Sequence, residues 1–183
     1  MICNFERSIE RLNFKINIMG LSNLGIFHTI IGIVAIISAF LSLFKSGKIN
    51  LDALTGKVYF YFTLISSLTA LGLSSVKGIN PGHVLALMIV IFVSTAYFFN
   101  VRKKGKNGYR LIENFLLSFS FFLSLIPTVN ETLSRVPVGN PIASGPKDPI
   151  IGVSILIILV LFIIGSIIQF KKQKRVNSRD ITP

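Results

Sequence analysis

The chain has 183 residues, of which 51% are hydrophobic and only 14% are charged, with a formal net charge of +12. Soluble domains carry about a quarter charged residues, so this deficit, together with a mean hydropathy of +0.71, predicts an integral membrane protein. The basic residues lie at the ends of apolar runs, which argues against a nucleic-acid-binding protein, and the single cysteine, Cys3, excludes an intramolecular disulfide.

Residues 1–23 precede the first long apolar run and mix apolar with charged positions. Apolar side chains recur there at helical spacing, at Phe5, Ile9, Leu12 and Ile16. We therefore expect an interfacial amphipathic segment on the outer side of the membrane, with a disordered leader as the alternative. The segment lacks the continuous apolar core of a cleavable signal peptide.

Five apolar stretches follow, each near the length of about 20 residues that a membrane-spanning helix needs. The predicted spans are residues 24–44, 58–76, 81–99, 111–129 and 149–170. Because backbone polar groups in lipid must be satisfied within the chain, continuous apolar runs of this length predict helices rather than irregular segments. The fold class is therefore predicted to be all-α, an integral membrane bundle of five transmembrane helices in residues 24–170.

The connecting segments set the predicted orientation. The proline-containing loop 130–148 is expected to be irregular, and residues 171–183 to form a basic cytoplasmic tail that frays. With five spans, one membrane side carries most of the lysines and arginines, namely Lys45, Lys48, Lys57, Arg102, Lys103, Lys104, Lys106, Arg110, Lys171, Lys172, Lys174, Arg175 and Arg179. The excess of cations marks the cytoplasmic side. We expect a plasma-membrane protein with its N-terminus outside and its C-terminus inside.

Small and hydroxylated residues recur along one face of each of the first four spans, as expected where helices pack closely in lipid. The predicted inward faces are His28, Gly32, Ala35, Ala39 and Ser42; Tyr59, Thr63, Ser66, Ala70 and Ser74; His83, Ala86, Val90, Ser94 and Tyr97; and Glu113, Leu117, Ser120 and Ser124. The fifth span offers little of this kind. We predict a four-helix core with a more peripheral fifth helix.

His28 and His83 are the two histidines, and both begin spans on the outer side. Two imidazoles at similar depth suit haem ligation or proton transfer, and an interfacial structural role is the alternative. They are the candidate cofactor-binding pair, with haem b as the candidate cofactor. No third ligand is evident for a metal site, and none is predicted.

Asp52, Tyr59 and Glu113 are the other polar residues that stand out as proton, ion or structural sites. Glu113 lies near the start of the fourth span, where the helix dipole favours an acidic residue, and Arg110 is close enough in sequence to pair with it. Tyr59 lies on the inward face of the second span.

The segment FHTIIGIVAIISAFLSLFKSGKINLDALTGKVYFYFTLISSLTAL, residues 27–71, resembles the opening hairpin of a family of uncharacterised bacterial multi-pass membrane proteins. The shared features are His28 with Gly32, and the Gly56–Tyr59 motif GKVY. Asp52 stands where that family usually has a histidine. The resemblance extends over residues 24–137 and includes a loose similarity to b-type cytochrome and ferric-reductase-type bundles, which implies redox work through the outer pair, His28 and His83.

The leading functional hypothesis is a non-enzymatic multi-pass membrane protein that binds a partner or small ligand within its helix bundle. The lipid bilayer is its expected environment, and a homo-oligomer or a membrane partner is an expected mode of association. A haem-binding redox protein and a small transporter, or an ion- or proton-conducting protein, are the alternatives. No catalytic residue and no nucleic-acid partner is predicted.

Overall fold

The computed structural model describes residues 23–73, 80–102 and 107–179. These residues form α-helices without a β-strand in the described ranges: α1 (Asn23–Ser46), α2 (Leu54–Gly72), α3 (Pro81–Arg102), α4 (Asn107–Arg135) and α5 (Pro149–Arg179). The all-α prediction is confirmed. The predicted interfacial segment at residues 1–23 lies outside the described residues except for its last position.

Four helices, α1, α3, α4 and α5, extend further than the apolar runs from which they were predicted, whereas α2 ends at Gly72, before the predicted residue 76. The helix predicted at residues 111–129 spans Asn107–Arg135, so Pro127 lies inside it rather than ending it. The loop predicted at residues 130–148 is therefore irregular only after Arg135. The tail predicted to fray from residue 171 continues α5 to Arg179. The second helix begins at Leu54 instead of residue 58.

Successive helices pack against each other in antiparallel order. His28 near the start of α1 contacts Ser66 near the end of α2, and Phe60 of α2 stacks on Tyr97 of α3. α3 packs on α4, α4 packs on α5, and α1 closes the bundle through contacts with α4. Among the described helices α5 packs on α4 only, so the predicted four-helix core with a peripheral fifth helix is the observed arrangement. The Lys172 side chain of α5 also approaches Gly47 in the α1–α2 connection.

Four of the helices are long and apolar enough to cross a membrane, namely α1, α3, α4 and α5. α2 does not meet this description, because its 19 residues include Lys57, two tyrosines and several hydroxyl residues. The hydroxyls of Thr63, Ser66 and Ser67 are on its buried face. Four of the five predicted spans are therefore supported by the apolar character of the helices themselves.

The core lies between α1, α2, α3 and α4 and combines small residues with a few large side chains. Ala39, Tyr59, Val93, Ala96 and Leu117 are fully buried. The alanines let the helix backbones approach, and the larger side chains fill the space between them, which is how helices associate in lipid.

The predicted inward faces agree with the burial pattern in α1, α2 and α4, and disagree in α3; Ser74, predicted on the second face, lies outside the described residues. In α3 the buried residues are Ala86, Ile89, Val93 and Ala96, whereas the predicted Ser94 and Tyr97 are exposed. The prediction for α3 is wrong in its C-terminal half because it followed the hydroxyl groups, while the tightest contacts are made by alanine and β-branched residues.

The α1–α2 connection is tightly packed. Gly47 ends α1 with a φ of 68°, a conformation that favours glycine. The Ser42 hydroxyl donates to the Lys48 carbonyl at 3.2 Å and accepts the Asn50 N–H at 3.0 Å. A Cβ on Gly56 would overlap the Asn50 carbonyl group. The loop is thus fixed to both helices.

Candidate functional site

The two ends of the bundle differ in chemistry. We call the end that holds the start of α1 and of α3 the histidine end, after His28 and His83. We call the opposite end, which holds the α1–α2 connection and the start of α4, the basic end, after its lysines and arginines. The sites predicted from the sequence are divided between these ends and the centre.

Tyr59 lies at the centre and reaches from α2 to α4, two helices that do not neighbour each other around the bundle. Its hydroxyl is 2.7 Å from Ser120 Oγ. The Ser120 hydroxyl donates to the Leu117 carbonyl at 2.8 Å, so Tyr59 is the donor to Ser120. The Tyr59 ring also packs edge-on against Phe121. These contacts fill the centre of the bundle with a satisfied polar pair.

His28 is bound to α2. Its Nδ1 lies 2.9 Å from the Ser66 carbonyl oxygen and 3.2 Å from Thr69 Oγ1. A carbonyl oxygen accepts only, so Nδ1 carries the proton and the Nε2 lone pair faces away from this contact. This is the tautomer that a histidine ligating through Nε2 adopts.

His83 is held by its own helix start. Asn80 caps α3 by accepting the His83 N–H on its side-chain oxygen at 3.0 Å, and the Asn80 N–H donates to His83 Nδ1 at 3.3 Å. His83 Nε2 is buried and has no hydrogen-bond partner among the described residues. The two histidines share an end of the bundle but have different hydrogen-bond partners.

Glu113 lies at the basic end, buried at the start of α4. Asn100 of α3 donates to its carboxylate at 3.0 Å. Lys48, Asp52 and Arg110 are all within electrostatic reach of this carboxylate. The structure thus brings Asp52 and Glu113 to one place, and leaves Tyr59 and the histidines elsewhere.

Lys48 responds to this environment. Burial in the α1–α2 connection lowers the pKa of its ammonium group below the usual 10.5, and the negative charge of Glu113 offsets part of that effect. Glu113 therefore stabilises a partly desolvated cation.

In the described residues no group of three or more histidine, cysteine, aspartate or glutamate side chains has the arrangement of a metal site.

A polar seam joins α4 to α5 at the basic end. Asn114 donates to Gln173 at 3.0 Å, and Gln173 in turn donates to Asn177 at 2.9 Å. One turn deeper, Ser118 donates to Gln169 at 2.9 Å. Because α4 is the helix on which α5 packs, these bonds help to fix the position of α5.

A groove of about 380 Å³ runs beside this seam on the surface of the bundle. We call it the α4–α5 groove; it is lined by Phe115, Ser166, Ile167, Phe170, Lys171 and Lys174. A narrow side pocket of about 10 Å³ adjoins it, and Asn114 and Ser166 both line that pocket. Asn114 Oδ1 and Ser166 Oγ are buried and have no hydrogen-bond partner among the described residues.

The sequence-based predictions missed the seam and the groove. The signal was present, since Gln169, Gln173 and Asn177 follow one another at steps of four, as do Asn114 and Ser118. Polar residues at this spacing lie on one helix face and suggest a partner helix. The prediction of a fraying tail at residues 171–183 hides this pattern, because Gln173 and Asn177 lie in that segment and belong to α5.

Comparison with protein-family models, with curated proteins and with solved structures finds no match to the chain. The fold and the geometry of these groups therefore carry the functional argument.

Proposed function

We propose that the protein is a plasma-membrane protein with five membrane-spanning helices that binds a small ligand at its basic, cytoplasmic end. The connectivity supports the fifth span. α1 ends at the basic end, and α3 begins at the histidine end. If α1 and α3 cross the membrane in the same direction, α2 must cross in the opposite one.

The polarity of α2 is compatible with such a crossing. Its hydroxyl residues Thr63, Ser66 and Ser67 are buried against other helices, while Tyr61, Ile65 and Leu68 are exposed. Intramembrane polar groups that face the interior of a bundle are far less costly than groups that face lipid. The distribution of lysine and arginine supports placing the basic end in the cytoplasm.

The observation that carries the ligand-binding proposal is the pair of unpartnered polar atoms in the narrow side pocket that adjoins the α4–α5 groove. Buried polar atoms are nearly always hydrogen-bonded, so an exception indicates a missing partner. Asn114 Oδ1 can accept a hydrogen bond and the Ser166 hydroxyl can donate one, but neither has a described partner. Both residues line the same narrow pocket. A pocket of about 10 Å³ holds a single water or one ligand oxygen. The larger groove beside it accommodates the rest of a ligand.

Native mass spectrometry of the purified protein tests this proposal. We expect one non-protein molecule to remain bound per chain after release from detergent. Ser166→Leu fills the groove and should remove that molecule, whereas Ser154→Leu near the other end of α5 should not. A protein that carries no bound mass under these conditions contradicts the ligand-binding proposal, whatever the chemistry of the ligand.

Haem binding is a second candidate function, favoured by the histidine end. His28 presents the tautomer of an Nε2 ligand. His83 does not, because its Nδ1 accepts the Asn80 N–H and the neutral ring therefore carries its proton on Nε2, so that contact would have to break before His83 could ligate iron through Nε2. The two side chains belong to α1 and α3, which face each other across the bundle rather than packing together. A Soret band that disappears in both His28→Gln and His83→Gln would support haem ligation. Absence of the band after expression with ample haem would eliminate it.

A further inference from the structure

The polar seam between α4 and α5 has one amide more on α5 than α4 uses. Two residues of α4, Asn114 and Ser118, donate to Gln173 and Gln169 of α5 respectively. Asn177 is buried one turn further along α5, and its described hydrogen bond is to Gln173 of its own helix. The seam therefore carries a third amide at the same four-residue spacing, without a described bond to α4.

The equal spacing on both helices gives the seam a second register. A shift of α5 by four residues toward the histidine end, about 6 Å at the rise of an α-helix, places Gln173 opposite Ser118. The same shift places Asn177 opposite Asn114, so both hydrogen bonds between the helices can be remade with amide partners. A shift in the opposite direction places Gly165 opposite Ser118, and glycine has no side chain to bond. The pattern of the seam thus favours one alternative register, in one direction.

The apolar packing of α5 on α4 also continues along the direction of this shift. The Phe162 ring of α5 packs against three rings of α4 at centroid distances between 5.1 and 6.1 Å, namely Phe115, Phe119 and Phe122. These three residues and Ile126 follow one another at steps of four and three, so they lie on one face of α4. A shift of one turn takes Phe162 away from Phe115 and toward Ile126, and keeps the other two rings as neighbours.

The connections of α5 allow this movement and set the preferred register. The loop at residues 136–148 is irregular, and an extended chain covers about 3.3 Å per residue, so roughly two residues of slack absorb the shift. The observed register buries Ile151 and brings the Lys172 side chain beside Gly47, and the shift gives up both contacts. The observed register is therefore the more populated one.

We propose that α5 switches between two registers on α4, the observed one and a second one shifted by one helical turn, in which Asn177 becomes the partner of Asn114. Packed helices move between discrete arrangements of this kind, because interlocked side chains do not deform continuously. The shift moves Ser166 away from Asn114 and so changes the lining of the narrow side pocket. The register is thus a means of regulating that pocket, and it exists whether or not a ligand binds there.

Disulfide cross-linking of the full-length protein in native membranes detects both registers, in a Cys3→Ser background. Ser118→Cys with Gln169→Cys reports the observed register, and Ser118→Cys with Gln173→Cys reports the shifted one. Ser118→Cys with Gly165→Cys is the matched control, because residues 165 and 173 are equally distant in sequence from Gln169. We expect the pair with residue 169 to cross-link fastest and the pair with residue 173 more slowly. The pair with residue 165 should not exceed the background of the Ser118→Cys single variant.

Spin labels report the two registers with the seam intact. Labels are attached to cysteines at exposed Val153 near the start of α5 and exposed Leu54 at the start of α2, and pulsed electron paramagnetic resonance in lipid nanodiscs measures their separation. The shift moves Val153 away from the basic end, so we expect a minor component that is longer by up to about 6 Å. Gln169→Leu removes the bond of the observed register to Ser118 and should increase the minor component at least about threefold, the factor for one average hydrogen bond between membrane helices. Ser154→Ala, which removes a hydroxyl bonded to the α5 backbone, should leave it unchanged.

Equal cross-linking of the pairs with residues 173 and 165 would show unspecific mobility of α5, and absence of both cross-links would show a single register. Either result overturns the proposal. A single distance component that Gln169→Leu leaves unchanged overturns it as well. These outcomes are independent of native mass spectrometry, because a chain that binds no molecule but shows the longer distance loses the proposed function and keeps the two registers.

Discussion

The hydroxyl of Tyr59 donates to Ser120 Oγ at 2.7 Å and so connects α2 to α4 across the centre of the bundle. Both side chains are fully buried. No other described side-chain hydrogen bond joins these two helices at a separation shorter than 3 Å. The pair therefore connects diagonally opposite helices of the four-helix core.

Removing the donor of this hydrogen bond should lower the free energy of unfolding less than removing its acceptor. Tyr59→Phe leaves Ser120 bonded to the Leu117 carbonyl and should cost about 0.6 kcal/mol, the average for hydrogen bonds between membrane helices. Ser120→Ala leaves the buried Tyr59 hydroxyl without its 2.7 Å partner and with a longer contact, 3.5 Å, to Leu117 O, and should cost about 1–3 kcal/mol. Reversible unfolding in mixed micelles measures both.

Tyr61→Phe is the matched control, because Tyr61 is exposed on the same helix. It should leave the free energy of unfolding unchanged. If Tyr59→Phe proves more costly than Ser120→Ala, Ser120 and not Tyr59 is the residue left unsatisfied, and the assigned donor direction is wrong.

Gly56 should tolerate no side chain. A Cβ there would overlap the Asn50 carbonyl and lie 2.9 Å from Leu51 N, and backbone atoms cannot move aside without displacing the α1–α2 connection. We expect Gly56→Ala to destabilise the protein by about 3 kcal/mol. Gly152→Ala, where no atom lies within 4 Å of the added Cβ, is the control for the same substitution in a helix. Thermal unfolding of the two variants checks the difference, and equal stabilities would contradict the packed connection.

Lys48 should deprotonate at a lower pH than an ordinary lysine. Burial disfavours its charged form and lowers its pKa below 10.5, while Glu113 favours the charged form. Glu113→Gln removes that attraction, so the pKa of Lys48 should fall further. The pH dependence of amine acetylation, followed at Lys48 by mass spectrometry, measures the midpoint, and exposed Lys57 reports on reagent access. A midpoint that rises in Glu113→Gln would contradict the electrostatic contact.

The sequence predicted much of the fold because long continuous apolar runs are a strong signal for helices. Continuous apolar runs located the five helices of the described residues, and small residues at steps of three and four located the buried faces of α1, α2 and α4. The method failed at Ser94 because a hydroxyl on a helix can bond to its own backbone and need not face inward. It also failed at the helix ends, since apolar content does not indicate where a helix continues beyond its apolar run, as α5 does to Arg179.

The candidate site was less accessible to sequence reasoning. His28 and Glu113 were identified as single residues, but their partners Ser66 and Asn100 depend on how neighbouring helices rotate against each other. The α4–α5 groove is formed by parts of α4 and α5 that are about 50 residues apart in the sequence, and by the side chains that these two helices leave exposed where they meet. Periodicity places residues on a face and leaves the pairing of faces undetermined.

Cysteine accessibility tests whether the hydroxyl residues of the core line a water-filled route. In a Cys3→Ser background, Ser120→Cys should resist membrane-permeant aqueous thiol reagents, because Ser120 is fully buried beside Tyr59. Leu54→Cys, at an exposed position of the basic end, should react and serves as the positive control. Rapid labelling of Ser120→Cys in the folded protein would favour the transport alternative over a packed bundle.

The central claim is that the chain crosses the membrane five times with its basic end in the cytoplasm. Single cysteines at Leu54, Pro81 and Val138, in a Cys3→Ser background, can be labelled with a membrane-impermeant maleimide in sealed cells. The account predicts that Pro81→Cys and Val138→Cys react in intact cells, and that Leu54→Cys reacts only after permeabilisation. Labelling of Leu54→Cys and Pro81→Cys from the same side would show that α2 does not cross the membrane, and would contradict the account.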